Sequence, residues 1–223
     1  MLILKLLILS FTALAYDSSI AVKKAGDKKI FKATIKTNFK GKLNDVVKGI
    51  ENFDDKCNNE RRSKRKFSKW EKNCSYHNEN LVEAVKIQAF QKDELIKIYP
   101  NAQYLMWRNI YNRGRFSHYD VITKKEEKNK IIITHQKLPD SLVKKLLAKP
   151  EKTVSAFEDI KGTYTLTQIK PNQVQVTYTY ESTTDHWFLT KDFLENNIKK
   201  NMVHGSEQAV KSIELSLKRS RIL

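Results

Sequence analysis

Residues 173–218 read QVQVTYTYESTTDHWFLTKDFLENNIKKNMVHGSEQAVKSIELSLK, and the spacing of their apolar residues changes once. Val174, Val176, Tyr178 and Tyr180 alternate, which places them on one face of a strand. Further on, Leu194, Ile198, Met202, Ala209, Ile213 and Leu217 fall on one stripe of a long helix, widened by Phe193, Val203 and Val210. Gly205 interrupts that stripe. A mid-helix glycine costs about 1 kcal/mol against alanine, so a bend or a close approach is expected there.

The strand signal repeats upstream. FEDIKGTYTLTQI (157–169), with Tyr164 and Leu166 on one face, KIIITHQKL (130–138), FSHYDVIT (116–123) and YLMWRNIYN (104–112) are rich in β-branched and aromatic residues. KEEKN and KPN suit hairpin connections, and DSLVKKLLAK reads as a short helix that stops before Pro150. Residues 81–98 fit a helix through Leu81, Ala84, Val85 and Ala89 and a strand through Val85, Ile87 and Ala89; their context favours strand. KKIFKATIKTNF, from Lys28, alternates Phe31, Ala33, Ile35, Thr37 and Phe39 against Lys32, Thr34 and Lys36. Gly41 ends it. Leu43, Val46, Val47, Ile50 and Phe53 then mark an amphipathic helix ending near Asp54 and Asp55.

The 223 residues carry ten Phe, nine Tyr and three Trp, enough for a real core, while six Gly and four Pro leave few hinges. No repeat or linker divides the chain, so one domain is expected. The opening MLILKLLILSFTALA has Lys5 as its only charge, an apolar run from Leu6 to Phe11, and the small-x-small pattern Ala13-Leu14-Ala15. This reads as a signal peptide over 1–15, with a second cleavage point after Ser19-Ile20-Ala21 and the domain over 22–223. A secreted or periplasmic protein follows, and a multi-span membrane protein is excluded.

A formal net charge of +17 predicts attraction to polyanions. It is densest in RRSKRKFSKWEKN (61–73), which Cys57 and Cys74 bracket. In an oxidising compartment the two cysteines read as a disulfide, worth on the order of 3 kcal/mol in the chain-entropy model. The stapled stretch is expected to dock on anionic membrane through Arg61, Arg62, Lys64, Arg65 and Lys66. Phe67 and Trp70, three apart, would share a helical face and dip among the headgroups. Nucleic acid is not an expected partner, because a secreted chain meets lipid first.

Patterns that carry chemistry are few. The five histidines show no HExxH and no i,i+4 pairing, and the cysteines lack zinc spacing; a cross-strand meeting of His118 and His135 is the one route to a metal, and no metal is expected. No nucleophile elbow, Walker loop or dinucleotide fingerprint is present, so neither a catalytic residue nor a cofactor is assigned. Asp185 and His186, before Trp187 and Phe188, could form an acid–base couple, but neighbours on a strand point to opposite faces. The favoured reading is a helix-entry turn capped by Thr184 or Asp185, with the two aromatics plugging a cavity mouth.

The order of strand, helix, antiparallel strands and long terminal helix resembles the START-like (SRPBCC, helix-grip) superfamily over residues 22–218. NRGRFSHYDVI (112–122) is similar to the Arg-Asp-Phe strand opening of its lipid-transfer members, although Gly114 and Arg115 separate Arg113 from Phe116 and leave out the acidic partner. The resemblance implies an α+β fold in which a curved antiparallel sheet wraps the carboxy-terminal helix around a ligand cavity. It implies a protein that binds a hydrophobic or amphipathic molecule, above all a lipid; a monomer is expected. Arg113, Tyr164, Tyr178, Tyr180, Phe193, Leu194, Ile198 and Met202 are then the candidate ligand contacts. The alternatives are a cyclase- or dehydratase-type enzyme on the same fold, or a basic module that binds anionic surfaces without a cavity.

Overall fold

The computed structural model describes residues 16–51, 81–89, 91–110 and 116–220. Eight strands form one sheet: β1 (Asp17–Ala25), β2 (Lys28–Lys40), β3 (Leu81–Ile87), β4 (Ala102–Ile110), β5 (Phe116–Glu127), β6 (Lys130–Lys137), β7 (Asp159–Lys170) and β8 (Gln173–Thr184). Their spatial order is β1-β2-β8-β7-β6-β5-β4-β3, antiparallel throughout. The helices are α1 (Leu43–Glu51), α2 (Lys92–Ile98), α3 (Asp140–Leu146) and α4 (Asp192–Ser220). This is the α+β helix-grip arrangement, a curved antiparallel sheet with a long carboxy-terminal helix.

The alternation of β2 becomes burial: Phe31, Ala33, Ile35, Thr37 and Phe39 are all buried. They share the concave face with Val174, Val176 and Tyr178 of β8 and Tyr164 and Leu166 of β7. Against that face pack Val46, Val47 and Ile50 of α1 and Val210, Ile213 and Leu217 of α4. Gly49 allows the two helices to meet, because a Cβ there would lie 3.3 Å from Ile213 Cγ2. A smaller cluster of Phe31, Ala33 and Met202 continues the core toward the start of α4. The other face of β4 and β5 has its own core, in which Leu105, Trp107, Tyr119 and Val121 lie under Leu95 of α2 and Val143 and Leu146 of α3.

The first turn of α4 is tied to the sheet. Lys29, 1% exposed, reaches Asp192 at 2.7 Å and Glu195 at 3.0 Å. Those pairs hold the helix over the β2–β8 end of the concave face.

Some expectations change. Residues 81–98 split into strand β3 and helix α2: Lys92 to Ile98 carry acids in the first turn and a lysine in the last, and only Leu95 is buried. Strand β1 was not expected, and the second cleavage point, Ser19 to Ala21, lies within it, paired with Thr34 to Lys32 of β2. Its edge position, polar start and exposed lysines hide the period that marks the other strands. Helix α4 runs on through Gly205, where a Cβ would meet nothing within 4 Å, so close approach does not explain this glycine.

Candidate functional site

Strand register gathers charge where the concave face should be apolar. Arg108 on β4 pairs with His118 on β5, and the next inward pair is Met106 with Asp120. His135 on β6 stands opposite Ile122. His118, Asp120 and His135 are buried, at 2%, 3% and 8% exposure. Arg108 Nε lies 2.7 Å from Asp120 Oδ2, Arg108 Nη2 lies 2.6 Å from His135 Nδ1, and His118 Nε2 lies 3.3 Å from Asp120 Oδ1.

This geometry fixes the state of His135. A guanidinium only donates, so Nδ1 of His135 accepts and its proton sits on Nε2. Burial, reinforced by the charge of Arg108 and opposed by that of Asp120, brings the His135 pKa down to about 3. The ring is therefore neutral, and its Nε2–H is a buried donor without a hydrogen-bond partner among the described residues. Burial pushes the Asp120 carboxyl up, but His118 and Arg108 outweigh it and hold the group at about 2. His118 Nδ1 and Ser206 Oγ on α4 are likewise buried without hydrogen-bond partners among the described residues. The Arg108–Asp120 pair cancels its own charge beside a neutral donor. Such a site suits an uncharged oxygen, a hydroxyl or carbonyl, better than an anion.

Tyrosines extend the site along the sheet. Tyr164 packs edge-on against His135 at 5.6 Å between centroids, and Tyr178 lies 4.3 Å from Tyr164. The hydroxyl of Tyr178 reaches over Gly162, where a Cβ would lie 2.8 Å away. Tyr180 spans the two concave clusters. Burial first, and then the negative charge of Asp120, raise its hydroxyl to about 12, against the opposing effect of Arg108.

The structure thus brings Tyr164, Tyr178 and Tyr180 together on the concave face. Met202 is buried there, with Ser182 Oγ 3.8 Å from its sulfur, and Ile198 is partly buried beside it. Leu194 is half-buried. Phe193 does not face the interior: it is 72% exposed, because its place one residue before Leu194 turns it off the buried stripe. Trp187 and Phe188 do not plug a mouth either, being 70% and 43% exposed. Asp185 and His186 are both exposed; Thr184 Oγ1 accepts from the backbone N–H of His186, which makes a local turn, but α4 begins only at Asp192, so neither Thr184 nor Asp185 caps the helix. Arg113, the stretch Arg61, Arg62, Lys64, Arg65, Lys66, Phe67 and Trp70, and the pair Cys57 and Cys74 lie outside the described residues.

The buried couple of His118 and Asp120 is the one sequence reasoning missed. Its signal is the i,i+2 spacing in SHYD (117–120), which keeps both side chains on one face of a strand. Arg108 supplies across β4–β5 the basic partner for an acid that the 112–116 stretch lacks. Among the described residues no group of three or more His, Cys, Asp or Glu is arranged to hold a metal ion.

Sheet order and the long carboxy-terminal helix give the chain the START-like, helix-grip fold. Human StAR-related lipid transfer protein 5 superposes with a TM-score of 0.55 at 9% identity, over 92% of this chain and 88% of that one. A protein from Thermus thermophilus superposes with a TM-score of 0.52 at 10% identity, over 85% of this chain and 98% of that one. No protein-family model and no curated protein matches the chain.

Proposed function

We propose that the protein holds an amphipathic, lipid-like molecule between the curved sheet and α4, with an uncharged hydroxyl or carbonyl at His135 Nε2. The observation that carries this reading is the buried group of Asp120, His118 and His135, joined by the partly buried Arg108, on a face that Met106, Ile122 and Ile133 share. A buried donor without a partner costs roughly 1–3 kcal/mol, which a ligand oxygen would recover. A shared fold with a protein named for lipid transfer supports the same class of ligand. The setting proposed is secreted or periplasmic, on the strength of residues 1–15.

Native mass spectrometry of protein from its own compartment tests the reading. A co-purifying lipid is expected, with its retention weakened in His135→Asn, which keeps an acceptor for Arg108 but loses the Nε2–H donor. A wild-type protein that carries no lipid and takes up no hydroxyl- or carbonyl-bearing acyl probe would defeat it.

A second reading, an acid–base enzyme on the same fold, is favoured by the carboxylate–imidazole couple of Asp120 and His118. Its mark would be turnover of a bound ligand that His118→Asn abolishes while binding persists. Binding without turnover leaves the carrier.

A further inference from the structure

We propose that the loop from β8 to α4, with the first turn of α4, is a docking tip that inserts aromatic rings into the headgroup layer of a zwitterionic bilayer. Trp187, Phe188 and Phe193 are large, apolar and outward, at 70%, 43% and 72% exposure. They contact one another edge to face, Trp187 to Phe188 at 5.6 Å and Phe188 to Phe193 at 6.2 Å between centroids. The local turn holds the loop in shape: Thr184 Oγ1 accepts from the His186 N–H and donates to the Ala156 carbonyl, and Thr190 N donates to the His186 carbonyl. Nothing in the core requires these rings, and the cost of leaving three aromatics in water at one point asks for a partner.

Size and charge select the partner. Full aromatic side chains bury about 150–250 Å² each, so these exposures amount to roughly 300–450 Å². A stable protein interface needs about 800 Å² on each side. Headgroup insertion has no such threshold, and tryptophan and other aromatic rings are favoured at that depth. The surrounding charges are mixed and largely paired: Lys28 with Glu158, Lys24 and Lys29 with Asp192, and Lys199 with Glu195. Asp185 and Lys191 flank the rings with opposite signs. A rim that alternates in sign matches headgroups that carry both signs, whereas an anionic surface would call for unpaired lysines. Among the described residues no helix is long and apolar enough to cross a membrane, so the contact is peripheral.

The inference is independent of the buried polar cluster. Full-length protein is mixed with phosphatidylcholine vesicles at low and at high salt, and partitioning is read by co-sedimentation. Trp187 is followed by quenching from brominated acyl chains, with Trp187→Phe as the blank for the other tryptophans. Binding is expected to survive high salt. Trp187→Ala/Phe188→Ala/Phe193→Ala should weaken it at least about tenfold, in line with the apolar area removed. Phe193→Ser alone, an exposed change that leaves the fold intact, should weaken it by a smaller factor. Three outcomes overturn the proposal. The triple variant could bind as well as the wild type. Binding could appear only on anionic vesicles and vanish with salt, which would assign it to the basic stretch at 61–73. Vesicle binding could be absent while sedimentation shows self-association that the triple variant loses, which would assign the rings to a second copy.

Discussion

Mild acid should destabilise this protein through one side chain, His135. In the fold its pKa is about 3, against 6.5 for a free imidazole. A group depressed in this way favours the unfolded chain whenever that chain can bind the proton and the native one cannot. Its stabilising neutrality is complete above pH 6.5 and is lost as the pH falls from 6.5 toward 3. Each unit in that window costs about 1.4 kcal/mol, so about pH 4.5 costs roughly 3 kcal/mol. A domain of this kind has only about 5–15 kcal/mol in total. Asp120 does not confuse the test, since its depression from 3.8 to about 2 removes stability only below pH 4. Urea unfolding at pH 7 and at about pH 4.5 measures the difference, with His135→Asn as the non-titrating control. The wild type should lose about 3 kcal/mol more than the variant over that interval. Equal losses would mean that His135 takes up a proton in the native state, and the assignment of its Nδ1 as an acceptor from Arg108 would be wrong.

Two smaller perturbations probe the frame around the site. Gly162→Ala drives a methyl to 2.8 Å from the Tyr178 hydroxyl in a packed face and should cost about 1–3 kcal/mol in urea unfolding; Tyr178→Phe in the same chain should recover most of it, and failure to do so would place the strain elsewhere. Lys29→Met removes the tie between β2 and the carboxylates of Asp192 and Glu195, so amide exchange in the first two turns of α4 should speed up relative to the turns around Ile213; uniform exchange along the helix would show that the tie does not hold its end.

The fold was legible wherever burial imposes a period. The inward residues of β2 from Phe31 to Phe39 and most of the α4 stripe follow from spacing alone, because one face of each element is packed and the other is wet; Lys29, buried on that same face of β2, does not. Legibility fails at edges. β1 pairs on one side only and needs little apolar surface, and Lys92 to Ile98 form a helix with a single buried anchor, Leu95. The polar site was the least legible part. Tyr164, Tyr178 and Tyr180 show themselves through alternation. The meeting of Arg108, Asp120 and His135, by contrast, depends on the register of three strands, which no local pattern records. Exposure was also misjudged at Trp187, Phe188 and Phe193, since apolarity alone does not say whether a side chain is covered by its own chain.

The pairing of β2 with β8 has a consequence for how the chain acquires its shape. Lys29 stands opposite Thr184 and Phe39 opposite Val174, so the earliest long strand of the concave face has its partner near the other end of the polypeptide. A ribosome must deliver nearly the whole sequence before that ladder can close, and only then can α4 settle onto it. Contacts so distant along the chain make for slow, late folding. During that interval the concave face lacks its β2 flank and the helix that covers it. A polypeptide in that state can be drawn through a narrow pore, or held by a chaperone, before its interior exists.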